Sequence, residues 1–261
     1  MLDLHSHILA GMDDGASSIE EAVQMALQAE ATGTSFIVAT PHHANGVHTN
    51  KASKVIEQTI HINEVLTSRQ IPVIVFPGQE IRAYESLIDD YHKGEILTLA
   101  GSSYILIEMP SSHIPSFMEE LIHELKVLGI KPIIAHPERN KGVVDDYKRL
   151  EELIDLGAYA QMTSHSLLGN FGSKVEQHAW SLCQKGLIHL IANDAHNCER
   201  RGFCLDKTYH LVQEKLGEEW RSYFENNALC ILEDKEFAVQ PVITAKSSNL
   251  FRSFTSYFFK R

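Results

Sequence analysis

Short apolar runs recur along this chain, and most of them end on a histidine or a carboxylate. Ser35–Thr40 leads into Pro41-His42-His43, and Val73–Phe76 leads into Pro77-Gly78-Gln79-Glu80. Tyr104–Ile107 leads into Glu108, Pro132–Ala135 into His136-Pro137-Glu138-Arg139, and Ile188–Ala192 into Asn193-Asp194-Ala195-His196. Continuous runs of this length, rich in Ile and Val, predict strands buried on both faces, as in parallel sheets. Asp3–His7 at the start and Ala158–Thr163 (AYAQMT) bring the predicted strands to seven.

Amphipathic helices are predicted between the strands. Ser18-Ile19-Glu20-Glu21 is a capping box, and the helix it opens stops at Gly33. A second helix covers roughly Lys51–Arg69, with Val55, Ile56, Ile62, Val65 and Leu66 as its inner face. Tyr84–His92 reads as a short helix and Ile96–Leu99 as a short strand. Pro115–Leu128 is helical with Phe117, Leu121, Leu125 and Leu128 on one side, Pro115 being its first residue. Asp145–Leu156 and Gly172–Lys185 follow, then Leu205–Leu216 and Glu218–Phe224 after the last strand. Strand and helix alternating at this spacing predict an α/β fold with a parallel sheet. The first strand and the last both end in candidate ligands and must lie close together, which closure into a β/α barrel achieves. No glycine-rich dinucleotide or phosphate-loop fingerprint supports an open doubly wound sheet. The 261 residues suit one domain, 1–261, with 205–261 as C-terminal helices and tail.

In a β/α barrel the functional residues sit at the C-terminal ends of the strands. His5 and His7, two apart on an extended strand, point to one side. His42, Glu80, Glu108, His136, Asp194 and His196 are then expected on the same rim. The loop Ala10–Gly15 leaves directly from the His-x-His strand, so Asp13 and Asp14 are either turn formers or one of them is a ligand. His48 is expected to be solvated, and His43, next to His42 on a strand, points to the opposite side. Imidazoles and carboxylates without a thiolate favour Mn, Fe, Zn, Mg or Co over soft-metal chemistry. The donors are too many for one ion and suit two or three divalent ions. Ions clustered about 3.5–4 Å apart are typical of phosphoester hydrolysis. Arginine, whose fork matches phosphate oxygens, is expected nearby: Arg139, Arg200 and Arg201 follow His136 and His196 closely.

The formal net charge of −11 argues against a nucleic-acid partner. The four cysteines form no C-x-x-C pair and point to a reducing cytoplasm. The first apolar run starts almost at Met1, so no removable leader is expected. No apolar run is long enough for a transmembrane helix, so no stable membrane insertion is expected. Leu250, Phe251, Phe254, Tyr257 and Phe258 lie roughly on one helical face, with Arg252, Lys260 and Arg261 nearby. That tail reads as a terminal helix packed on the barrel or as a docking element for a partner or a membrane surface.

H-S-H-I-L-A-G-M-D-D-G, T-P-H-H, G-Q-E, E-M-P, A-H-P-E-R-N and N-D-A-H together resemble the motifs of the PHP (polymerase and histidinol phosphatase) superfamily. The nearest branch is the bacterial tyrosine-protein phosphatases of capsular and exopolysaccharide gene clusters, the CpsB/YwqE-like group. The resemblance spans roughly Met1 to Arg201. It implies a distorted seven-stranded, TIM-like barrel with a trinuclear, manganese-favouring site. His5, His7, Glu80 and Asp194 would hold one ion, Glu80, Glu108 and His136 a second, and Asp14, His42 and His196 a third. Asp14 is preferred to Asp13 on this ground alone. Arg139 and Arg201 match the phosphate-binding arginines. Glu108 stands where some superfamily members have His, as suits the phosphatase branch.

The expected chemistry is direct attack of metal-activated hydroxide on phosphotyrosine. Tyrosine's pKa is about 10, so its phenolate leaves without a strong acid; His42 and His43 are the candidates if one acts. No cysteine has an arginine at the offset that a cysteine-dependent tyrosine phosphatase needs. The implied substrate is the tyrosine-rich tail of a bacterial tyrosine kinase that controls polysaccharide export. The rival readings are a histidinol-phosphate or other small phosphomonoester phosphatase, a DNA-processing exonuclease and a metal-stabilised regulatory protein.

Overall fold

The computed structural model describes residues 1–242. The aromatic-basic tail with Leu250 to Phe258 lies outside the described residues. Among the described residues there are nine strands: β1 (Leu2–Ser6), β2 (Phe36–Ala39), β3 (His42–His43), β4 (Ile74–Pro77), β5 (Glu80–Arg82), β6 (Tyr104–Glu108), β7 (Lys131–Ala135), β8 (Tyr159–Thr163) and β9 (Leu190–Ala192). They form two parallel sheets, β1-β2-β4 and β3-β5-β6-β7-β8-β9. The expected α/β architecture with parallel strands is therefore present, but the pairing divides between two sheets.

Each division has a local cause. Pro41, which lacks an N–H, separates β2 from β3. Gly78 and Gln79 separate β4 from β5, so Glu80 opens a new strand instead of ending the third. A Cβ at Gly78 would stand 2.8 Å from Val38 Cγ1 and 3.2 Å from the Ala39 carbonyl oxygen. Only glycine lets the two chains approach so closely there. At the far edges, His7 N–H donates to the Ala195 carbonyl and Asp194 N–H to the His5 carbonyl, each at 2.8 Å, and Ser6 bridges Ala195 in parallel. One apolar cluster draws Leu2, Leu4 and Val38 from one sheet and Leu106, Ile133 and Leu190 from the other, together with Ile231 from the helix Glu218–Leu232.

Most helices lie where the periodicity puts them. Ser18 Oγ accepts from the Glu21 N–H at the start of Ile19–Ala31. Glu21 does not close the box onto Ser18; it accepts from the N–H and hydroxyl of Ser17. In Ala52–Ser68, Val55, Ile62 and Leu66 are buried, whereas Ile56 is exposed, contrary to its expected inner position. Leu128, expected on the buried face, is also exposed, and that helix is Met118–Val127 rather than starting at Pro115. Ile96–Leu99 is not a strand: its Leu97 N–H donates to the Gln79 side chain instead of a neighbouring strand. The expected helix Asp145–Leu156 is two, Lys141–Asp145 and Lys148–Asp155, the first capped by Asn140. The last helix continues past Phe224 to Leu232. Among the described residues no helix is long and apolar enough to cross a membrane.

Candidate metal and phosphate site

The rim collects side chains from six of the strand ends. Strand register explains the central pair: His42 on β3 lies beside Glu80 on β5, and Arg82 beside Glu108 on β6. Residues side by side in parallel strands share a face, so the imidazole of His42 and the carboxylate of Glu80 meet, with Nδ1 and Oε2 2.9 Å apart. A register shift between Asp3 and Ser6 lies where His5 leaves β1; irregularities of this kind re-aim side chains at sites. His136 and Asp194, just beyond β7 and β9, both adopt the left-handed backbone region, with φ of 35° and 55°. Such conformations cost energy in non-glycine residues and cluster at functional sites.

Glu80 is the hub. Its Oε2 is 3.2 Å from His5 Nε2 and 3.4 Å from His7 Nε2, and its Oε1 is 2.7 Å from His136 Nε2. Asp194 Oδ1 lies 3.4 Å from the same nitrogens of His5 and His7. His42 and His196 converge on Asp14 at 3.6 and 3.5 Å. The donors fall into three overlapping groups: His7, Asp14, His42 and His196; His5, His7 and Glu80; His42, Glu80 and Glu108. The first contains Asp14, His42 and His196 of one expected set with His7 added, and the second contains His5, His7 and Glu80 of another without Asp194. The third contains His42 where His136 was expected, and His136 touches Glu80 instead.

The loop Ala10–Gly15 separates the two aspartates. Asp13 Oδ2 accepts from His7 Nδ1 at 2.7 Å and from the His42 N–H at 2.8 Å, and Oδ1 accepts from the Gly15 N–H. Asp13 is thus spent on holding His7, and Asp14 faces the cluster. His43 turns away and donates to the Asn50 carbonyl at 2.7 Å. Arg200 is exposed, while Arg201 bends back to the rim because Asn197 Oδ1 accepts the N–H groups of Glu199, Arg200 and Arg201.

Several residues of the site escape motif reading. Gln161 accepts from His5 Nδ1 at 2.8 Å, leaving Nε2 toward Glu80. Arg82 pairs with Glu108 at 3.0 Å. Asp3 accepts from the backbone and side-chain N–H groups of Asn193, bracing the β9 end. A polar Gln inside the apolar run AYAQMT was the one available signal for Gln161.

Electrostatics in the protein alone favour charge separation. Burial opposes ionisation of Glu80 and Asp194, but His5 and its neighbouring cations hold both well below the usual carboxylate range. Burial also opposes charge on His7, yet Asp13 raises it well above the usual value. Glu108 is pushed up to about 7 by burial and by Glu80, and His136 down to about 4 by burial and Arg139. Closely packed titratable groups driven apart in this way mark functional sites.

The set fits divalent ions. Glu80 Oε2, Glu108 Oε2, Asp194 Oδ1 and His42 Nδ1 are buried with charged or imidazole neighbours close by but make no well-aligned hydrogen bond. Orphaned buried acceptors are costly unless something completes them. All are hard or borderline donors, as Mn, Mg, Fe or Zn would take. Beside them, Arg139 and Arg201 each place Nη2 2.6 Å from Asp194 Oδ2, and the Nε of each is buried and unpartnered. The pocket between holds about 190 Å³, room for a phosphoryl group but not for a peptide. Burial raises the pKa of all four cysteines, and none lines this pocket.

A family model described as capsular polysaccharide synthesis, CpsB/CapC, matches residues 1–233. The tyrosine-protein phosphatase YwqE of Bacillus subtilis is 38% identical over 254 residues, 97% of this chain and 100% of its own length. The tyrosine-protein phosphatase CpsB of Streptococcus pneumoniae is 30% identical over 241 residues, 90% of this chain and 99% of its own. A solved structure from work on YwqE and CpsB, described as unique metal-dependent tyrosine phosphatases, superposes with a TM-score of 0.90 at 38% identity, covering 92% of this chain and 98% of that one.

Proposed function

This chain belongs to the CpsB/CapC family of capsular polysaccharide synthesis, and from that membership and the rim geometry we propose that it is a metal-dependent protein-tyrosine phosphatase acting in capsular or exopolysaccharide synthesis. The observation that carries the reading is one pocket holding both unpartnered buried carboxylate oxygens and two arginines with unspent donors.

His5, His7, Asp14, His42, Glu80, Glu108, His136, Asp194 and His196 would hold two or three divalent ions, manganese first among them. Such ions, when bound, neutralise phosphoryl charge and lower the pKa of water toward neutrality. The chain's own groups do the rest. Arg139 and Arg201 receive the non-bridging phosphoryl oxygens through their guanidinium groups and keep that charge stabilised as the bond to phenolate breaks. Asp13 and Gln161 fix the ring orientation of His7 and His5. The small pocket keeps the peptide at the mouth, so recognition centres on the phosphorylated side chain. His43, bonded to Asn50 behind the strand, is not the general acid; His42 is the remaining candidate, and a phenolate leaves without one.

The two sheets are read as one distorted seven-stranded β/α barrel in a single domain, β2 continuing into β3 and β4 into β5. The hydrogen bonds of His5 and His7 to the segment after β9 support this closure. The substrate would be a phosphotyrosine protein, with the tyrosine-rich tail of a bacterial tyrosine kinase as the proposed one. Four cysteines without a disulfide suit a reducing cytoplasm.

Turnover of a phosphotyrosine peptide compared with histidinol phosphate tests the assignment. The peptide should be the better substrate by kcat/KM; preference for histidinol phosphate would overturn it.

A further inference from the structure

We propose that Phe171 is a positioning residue for the phosphate arginines: its ring is the shared platform that holds Arg139 and Arg201 in the pocket lining. The proposal rests on the phosphatase reading above.

The guanidinium carbons of Arg139 and Arg201 lie over the Phe171 ring, 5.3 and 5.9 Å from its centroid. Both arginines also reach the same oxygen, Asp194 Oδ2. One carboxylate therefore faces two cations, and the two guanidinium groups repel each other. The negative face of an aromatic ring offsets part of that repulsion. It does so without using a hydrogen-bond donor of either guanidinium. A second anionic side chain at this spot would instead compete with phosphate.

The ring is itself held in place. Asn170 Nδ2 donates to His165 Nδ1 at 2.8 Å, and His165 Nε2 donates to the carbonyl of Gly202 at 2.9 Å. Asn170 precedes Phe171, and Gly202 follows Arg201. One buried imidazole thus ties the turn carrying the platform to the turn carrying its cation, and its ring lies 6.0 Å from that of Phe171. Phe171 is half-buried and belongs to none of the three apolar clusters of the core.

A platform of this kind orders the arginines before the ligand arrives, removing a cost of binding. Its loss should appear in phosphate affinity and KM more than in kcat, as expected for binding shared by ground and transition states.

The test uses full-length, manganese-loaded protein as wild type, Phe171→Leu, Phe171→Met and Phe171→Trp. Inorganic phosphate binding is measured by calorimetry, with unfolding temperature, metal content, and kcat and KM on a phosphotyrosine peptide. Phe171→Leu should weaken phosphate binding on the order of tenfold and raise KM similarly, as loss of two cation–π contacts implies, with unfolding temperature and metal content at wild-type values. Phe171→Trp should restore both. Phe171→Met replaces Phe171→Leu if the latter unfolds earlier. Wild-type phosphate affinity in the folded non-aromatic variant, or no recovery with Trp, overturns the platform. Binding decides the platform by itself. Peptide turnover by wild type decides the phosphatase reading separately.

Discussion

Asp13 and Gly15 show how little of a site is its ligands. Asp13 reaches His7, His42 and Gly15 at once, so it sets the geometry of two proposed ligands without facing the cluster. Asp13→Ala should weaken manganese affinity by roughly 10–100-fold, the usual cost of losing such an orienting partner, as measured by metal titration. A Cβ at Gly15 would lie 2.0 Å from the His7 carbonyl oxygen and 2.4 Å from its Cβ. Gly15→Ala must push the loop off His7, and loss of metal affinity together with about 1–3 kcal/mol of stability is expected; an unchanged denaturation midpoint would contradict this. The proposed ligand types were legible in the sequence because most of them end an apolar run. The choice of Asp14 over Asp13 was not, because two adjacent aspartates after glycine look alike until one is seen bonded to His7. Gln161 and Phe171 were missed for a similar reason: one sits within a buried run and the other in a loop without a motif.

At the scale of elements, the Ser18 cap and the Gly33 stop were read well and strand continuity was not. Ser18 and Gly33 act through local backbone chemistry, which sequence shows directly. Pro41 breaks pairing through its missing N–H, but the interruption at Gly78 arises from close approach to the neighbouring strand, which sequence shows only after the fold is known. Ile56 and Leu128 failed for another reason, since helical spacing finds an apolar stripe but not where its edge meets solvent. β9 offers a test of burial. His189, just before it, accepts the Ala160 N–H at 3.2 Å through Nδ1, and burial pushes its pKa down to about 4. In the unfolded chain the value is about 6.5. Between these values the unfolded chain binds the proton and the folded one does not. Its contribution is therefore full above pH 6.5 and lost as pH falls toward 4, by about 3 kcal/mol. His189→Asn keeps an acceptor for Ala160 and should remove that share of the acid slope in denaturant titrations. Identical slopes in the two proteins would contradict the burial account.

Across the whole molecule, the rim is built by residues from Met1's neighbours to Arg201, and it depends on β1 meeting the segment after β9. That long-range closure concentrates Glu80, Glu108, Asp194 and five histidines in one place. Ions bound only in the folded state stabilise it by mass action. Chelation should lower the unfolding temperature by several degrees, and manganese should restore it. The decisive experiment is phosphate release from a phosphotyrosine peptide by chelator-treated protein, with manganese added back, beside His136→Ala. The account predicts no release after chelation, recovery with manganese in wild type, and little recovery in the variant, because His136 reaches Glu80 at the centre of the cluster. Full activity after metal removal, or an unimpaired His136→Ala protein, would contradict it.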